Sequence, residues 1–115
     1  MKMMLSEIAN LVNGKMIGHD VTIESASIDT RTISAGQLYI AINGKNFDGN
    51  NFVNQAEMAG ASAAMVHPGI AVTIPHIIVE NTHLALAEFA GGWRNKLAKH
   101  GDETTGISVV GVTGS

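Results

Sequence analysis

A chain of 115 residues with 7 basic and 10 acidic side chains, formal net charge −3, offers neither the basic surface of a nucleic-acid binder nor that of a protein held on anionic lipid. It contains no cysteine, which excludes disulfides, thiolate metal sites and a thiol nucleophile and suits a reducing compartment. No apolar stretch approaches the ~20 residues of a membrane span, and MKMMLSEIANLV lacks the layout of a signal peptide, so a cytoplasmic domain rich in tight turns is expected.

In chain order, Leu5, Ile8, Ala9 and Val12 recur at i, i+3, i+4 and i+7, the apolar face of a short helix that Asn13-Gly14 ends. The segment VTIESASI (21–28) puts Val21 and Ile23 on one face and, after a change of phase, Ala26 and Ile28 on the other. That predicts one strand with a bulge. A turn at Ser34 to Gly36 leads into Leu38 to Ile42, an almost unbroken apolar run of the kind found in strands covered on both faces. The pairs Asn43-Gly44 and Asp48-Gly49 predict a turn-rich loop over 43–51. Phe52, Gln55, Ala56 and Ala59 restore helical spacing as far as Gly60.

Ser62 to Val66 and His76 to Glu80 read as short strands separated by Pro68, Gly69 and Pro75. Thr82 is the expected N-cap of a helix whose stripe is Leu86, Phe89, Ala90, Trp93 and Leu97. Gly91 and Gly92 inside that helix each cost about 1 kcal/mol relative to alanine, which predicts close packing against a neighbour. A polar connector over 100–106 precedes a last strand. The histidines at 19, 67, 76, 83 and 100 lack metal-ligand spacing and are expected on the surface or at caps, so no metal site is expected.

Strands separated by helices make an α/β layered chain. The change of composition near 80–82 divides it into a self-contained unit over 1–80 and a second over 81–115, a helix, strand and glycine turn that begin a nucleotide-binding unit. The terminal ISVVGVTGS reads either as an apolar strand ending in a glycine turn or as the opening half of a phosphate-binding loop. In the second case Gly111, Thr113, Gly114 and Ser115 lie where backbone amides converge on phosphate oxygens. The lysine and the Ser/Thr that complete such a loop are absent, so the chain by itself is expected to hydrolyse no nucleotide.

Between 27 and 66 the chain reads Asp29-Thr30-Arg31, then Ala35-Gly36-Gln37-Leu38, Tyr39 to Gly44, Asp48-Gly49 and Ala56 to Ala61. This ordered set resembles the N-terminal domain of the Mur ligases. It departs from the family at Ala35, where proline is frequent, and at Tyr39, where phenylalanine is frequent. The resemblance implies a small uridine-diphosphate-binding domain of mixed sheet with flanking helices, plus the first helix and strand of a P-loop ATP-binding domain. The parent is then a three-domain bacterial enzyme of peptidoglycan precursor synthesis that uses ATP and Mg2+ and forms an amide bond through an acyl phosphate.

The opening LSEIANLVNG, the segment VENTHLALAEFAGGWR and the T-G-S of 113–115 favour the type that adds D-alanyl-D-alanine to UDP-N-acetylmuramoyl-tripeptide. The tripeptide-forming type is the alternative within the family, and a stand-alone, non-catalytic binding domain is the rival from another class. The catalytic groups are implied to lie beyond Ser115, the fragment to bind no ATP or Mg2+ of its own, and the protein to be a monomer.

The same resemblance marks Thr30 and Arg31 as contacts for the uridine or its diphosphate, where arginine's planar fork suits phosphate oxygens. On the residues alone, Asp29 and Arg31 equally read as a brace for the turn after their strand. In the second loop, Gly44, Lys45, Asn46 and Phe47 are expected to cup the uracil or ribose, Phe47 as a stacking face and Lys45 toward the diphosphate. A solvated lysine and a core phenylalanine are the plain alternative there. Asp48 and Gly49 are counted with these substrate-binding residues, expected to shape the loop more than to touch the ligand.

Overall fold

Residues 2–44 and 47–99 are described by a computed structural model of the chain. In chain order it contains β1 (Met3–Met4), α1 (Leu5–Leu11), β2 (Lys15–Ile17), β3 (Thr22–Ile23), β4 (Ser25–Ser27), β5 (Gln37–Ile40), β6 (Asn43–Gly44) and β7 (Phe47–Asp48). A 3₁₀ turn over Gly49–Phe52 then runs into α2 (Val53–Met58), followed by β8 (Ala63–Val66), β9 (His76–Ile78) and α3 (Thr82–Lys99).

The main sheet has the order β2-β9-β8-β5-β4. Strands β4, β5, β8 and β9 are parallel, and β2 closes one edge antiparallel to β9. Parallel strands are covered on both faces, and the apolar run at 38–42 shows why. Leu38, Ile40 and Ile42 point into a core shared with α1 and α3, while Tyr39 and Ala41 point into a second core with Val53 and Ala56 of α2. The expectation of a doubly covered strand is met, and the architecture is helix–sheet–helix.

The residue pattern explains the elements at each end of that sheet. Leu5, Ile8, Ala9 and Val12 are all buried, as their spacing predicts. Asn13 adopts a left-handed φ of 56° and ends the helix, with Gly14 N–H returning to the Ala9 carbonyl. At the other end of α1 the Asp20 carboxylate accepts from Ser6 N–H and Oγ, placing an anion at the positive end of the helix. Glu57 of α2 accepts from Thr73 N–H and Oγ1 and from Ile74 N–H, pinning the β8–β9 connection to the second face.

Four local expectations are corrected. VTIESASI is two strands rather than one bulged strand: β3 pairs with β1, β4 pairs with β5, and the phase change at Glu24 is where the chain leaves one sheet for another. The buried face of α2 is Val53 and Ala56, with Gln55 and Ala59 exposed; a 3₁₀ turn over Gly49–Phe52 precedes it, so the helical spacing does not run back through Phe52. The cap of α3 is Asn81, whose Oδ1 accepts from Leu84 N–H at 3.0 Å; Thr82 is inside the helix and buried. Gly92 does pack closely, since a Cβ there would stand 2.2 Å from Leu11 Cδ2, whereas Gly91 has nothing within 4 Å.

Along α3, Ala85, Leu86, Phe89 and Trp93 are buried in the same core as α1 and β5. The rings of Phe89 and Trp93 meet edge to face at 5.5 Å. Among the described residues no helix is long and apolar enough to cross a membrane. The expected last strand, with Gly111, Thr113, Gly114 and Ser115, lies outside the described residues.

Candidate functional site

Because β4 and β5 are adjacent and parallel, the segments that follow them leave from the same end of the sheet. Ligands of open α/β sheets bind beyond the carboxyl ends of the strands. The end of β8, at His67, shares that edge. A cleft of about 440 Å³ opens there, lined by Ile28, Asp29, Thr30 and Arg31 after β4, Tyr39 of β5, Phe52 of the 3₁₀ turn and Gln55 of α2.

The segment S-I-D-T-R-T folds into a turn held by its own side chains. Asp29 N–H donates to Ser27 Oγ, and the Asp29 carbonyl accepts from Thr32 N–H and Oγ1 at 3.1 Å each. The Asp29 carboxylate accepts from Arg31 N–H at 2.9 Å, an Asx turn, and from Arg31 Nε and Nη2 at 3.0 and 2.8 Å. That side-on pairing leaves Nη1 and its two hydrogens directed away from Asp29. The guanidinium is 87% exposed and its partner carboxylate 35%. The bonds from Arg31 hold the Asp29 carboxyl below its ordinary value and push the guanidinium up. Arg31 is therefore braced by Asp29, as the plain alternative expects, while its guanidinium stays exposed.

Tyr39 forms the floor. Its side chain is fully buried, and its hydroxyl donates to the Gly49 carbonyl at 2.9 Å. Burial, then the charges of Asp29 and Asp48, push the phenol up to about 12, so it remains a protonated donor at neutral pH. The Tyr39 hydroxyl thus ties the cleft to the Asp48-Gly49 turn. Gly49 N–H donates to the Ile42 carbonyl at 2.8 Å, and a Cβ at Gly49 would stand 2.6 Å from Ile42 N. Only glycine fits so close to another backbone.

Of the residues marked from the sequence, Thr30 and Arg31 line the cleft. Asp48 and Gly49 do not line it; the Gly49 carbonyl accepts from the lining residue Tyr39, and the Asp48 charge bears on the same phenol. Gly44 and Phe47 are a register pair of the small β6–β7 hairpin. Lys45 and Asn46 lie outside the described residues. Sequence reasoning missed Tyr39, Phe52 and Gln55 as lining. The apolar alternation assigned Tyr39 to the core, and only its polar tip hinted at a second part. One histidine is not the surface or cap residue expected: His76 is buried with Nδ1 2.9 Å from the Ile74 carbonyl; His67 is half-buried and bonded to Asn50. Among the described residues no cluster of His, Asp or Glu is grouped to hold a metal ion.

Four carboxylates share a depressed titration. Asp20 is lowered by its bonds from Ser6, Asp29 by those from Arg31 and Asp48 by those from Asn50. Glu57 is raised by partial burial but lowered on balance by Thr73 and Ile74. Groups held below their ordinary values of 3.8 (Asp) and 4.5 (Glu) contribute stability that is complete above those values and is lost as pH falls through the folded ones. Thermal melts from pH 7 downward are expected to stay level at first and fall steadily below the ordinary carboxylate range. Glu57→Gln is expected to flatten that fall, and a slope identical to the wild type would remove Glu57 from the account.

The family model described as "Mur ligase family, catalytic domain" matches residues 22–94. The chain belongs to the Mur ligase family. It is 34% identical over 104 residues to the UDP-N-acetylmuramoyl-tripeptide--D-alanyl-D-alanine ligase of Escherichia coli (strain K12), an alignment covering 90% of this chain and 23% of that protein. It is 32% identical over 93 residues to the UDP-N-acetylmuramoyl-L-alanyl-D-glutamate--2,6-diaminopimelate ligase of Aquifex aeolicus (strain VF5), covering 81% of this chain and 18% of that one. Among solved structures it resembles MurF from Acinetobacter baumannii with a TM-score of 0.73 at 26% identity, over 82% of this chain and 21% of that one. The chain spans about a fifth to a quarter of the length of the relatives it matches.

Proposed function

We propose that the chain is the N-terminal part of a MurF-type ligase, and that its cleft holds the uridine-diphosphate end of UDP-N-acetylmuramoyl-tripeptide. The observation that carries this reading is the position of Arg31. Its guanidinium is fixed side-on by Asp29 in the lining of a cleft at the carboxyl end of parallel strands, with Nη1 left unused by that pairing. Such a fork suits the oxygens of a diphosphate, and the half-buried Phe52 in the lining suits a pyrimidine or ribose. The groups in the cleft are suited to holding: Asp29 is paired, and the Tyr39 phenol keeps its proton. For this reason the residues matched by a family model named for catalysis are given a substrate-binding part.

In this reading residues 1–80 are the precursor-binding domain, and 81–115 lead into an ATP-binding domain whose phosphate loop starts at Gly111, Thr113, Gly114 and Ser115. The stem of α3 rests on the first domain's core. The parent activity is then ATP- and Mg2+-dependent amide-bond formation in the bacterial cytoplasm, joining D-alanyl-D-alanine to the tripeptide through an acyl phosphate, with the reacting groups outside the described residues. The 32% identity to a diaminopimelate ligase favours the tripeptide-forming type as the second reading, which shares the uridine-diphosphate end and so the same cleft.

Calorimetry with uridine diphosphate tests the proposal. Arg31→Ala removes charge-assisted bonds and is expected to raise Kd about ten- to a hundredfold. The wild-type affinity is expected to fall with added salt, since the guanidinium is exposed. Equal affinity in the wild type and Arg31→Ala would contradict the assignment of Arg31.

A further inference from the structure

One buried amide at the carboxyl edge of the sheet touches two segments at once. Asn50 is 8% exposed. Its Nδ2 donates to Asp48 Oδ1 at 2.8 Å and reaches His67 Nδ1 at 3.1 Å, and its Oδ1 accepts from His67 N–H at 3.2 Å. Its own backbone N–H donates to Asp48 Oδ1 at 2.9 Å. An ionised carboxylate only accepts, so Nδ2 is the donor end of the amide and His67 Nδ1 the accepting nitrogen. The imidazole proton is then on Nε2, which lies 3.4 Å from Thr82 Oγ1 in the first turn of α3. One peptide before Asn50, the Gly49 carbonyl receives the Tyr39 hydroxyl, and Tyr39 lines the cleft.

We propose that Asn50 is a positioning residue for the cleft. It clamps the Asp48-Gly49 turn against the end of β8, and the Gly49 carbonyl so held orients the Tyr39 phenol in the floor of the cleft. An amide is what the position requires. It supplies two donors and one acceptor at fixed angles, where aspartate would set a second carboxylate against Asp48 and alanine would leave the half-buried His67 N–H without this acceptor. The identity of the occupant rests on the nucleotide reading above; the positioning of Tyr39 does not.

A double-mutant cycle between Asn50→Ala and Tyr39→Phe tests it, read by NMR as uridine diphosphate affinity and, without ligand, as the ring resonances of Tyr39. Asn50→Ala is expected to weaken binding about tenfold and to move the Tyr39 ring signals in the free protein. Adding Tyr39→Phe is expected to cost little more than the larger single loss, because both changes cut one path. Additive losses, or an Asn50→Ala protein with wild-type affinity and unmoved Tyr39 signals, would overturn the proposal. Should Asn50→Ala not fold, His67→Ala, which removes the Nδ1 acceptor, is expected to move the same ring signals, and their constancy would overturn it equally. A wild type that binds no uridine diphosphate defeats the nucleotide reading, while the free-protein ring signals still decide the part played by Asn50.

Discussion

Trp93→Ala is expected to lower stability by about 3–5 kcal/mol, the range for deleting a fully buried large aromatic. Trp93 is 1% exposed, stacks edge to face on Phe89, and belongs to the cluster that includes Leu5, Ile8 and Leu38. The loss has two parts, the lost burial of the indole and the void left in the core, which the surrounding backbone fills only in part. For a domain of this size the melting temperature is expected to drop by roughly 15–25 °C. Leu84, 58% exposed on the same helix, supplies the contrast: its replacement by alanine is expected to change stability by no more than about 0.5 kcal/mol. Denaturant titration of both variants checks the pair. A Trp93→Ala midpoint near the wild type would mean that α3 is not part of the core.

Gly49→Ala is the second large effect, and its cause is backbone rather than cavity. The added Cβ would stand 2.6 Å from Ile42 N, 2.7 Å from Ile42 O and 2.9 Å from Ala41 C. None of these atoms can turn aside as a side-chain tip can, because Ala41 is itself bonded to the Met65 carbonyl in the sheet. The turn must retreat, which breaks the Gly49–Ile42 bond and draws the Gly49 carbonyl from the Tyr39 hydroxyl. A loss of about 3 kcal/mol is expected, at the upper end for overpacking, with uridine diphosphate binding lost in parallel. Gly92→Ala meets the Leu11 side chain, Cδ2 at 2.2 Å and Cγ at 2.9 Å, which can turn aside in part, and Gly91→Ala meets nothing within 4 Å. Gly91→Ala is therefore expected to gain up to about 1 kcal/mol of helix propensity. Melting curves of the three variants should separate in that order, and a stable Gly49→Ala protein would show that the turn has room the geometry denies it.

Much of this architecture was legible because apolar periodicity and strand coverage are strong, local signals. The face of α1 and the doubly buried run at 38–42 follow from spacing alone. What spacing could not carry was the choice of partner. Nothing in VTIESASI says that Ile23 pairs with Met3 while Ala26 pairs with Leu38, since strand pairing is decided by residues far away in sequence. The N-cap was misplaced by one residue because Asn81 and Thr82 are both good caps, and the burial of Thr82 by tertiary packing broke the tie. At the cleft, Thr30 and Arg31 were found through an ordered motif. Tyr39, Phe52 and Gln55 were passed over because an aromatic in an apolar run and a helix-face glutamine look like ordinary packing and solvent contacts until the topology brings them together. The network of Asn50, His67 and Thr82 spans 32 residues of sequence, and no local pattern announces it.

The most direct measurement is a heteronuclear NMR titration of the 115-residue chain with UDP-N-acetylmuramoyl-tripeptide. Amide shifts are expected to concentrate on residues 28–31, 39, 48–49, 52 and 55, the rim of the cleft at the carboxyl ends of β4 and β5. Shifts gathered instead on Ala35, Gly36 and Ser62 at the opposite edge of the sheet, or no shifts at millimolar ligand, would contradict a precursor-binding cleft around Arg31.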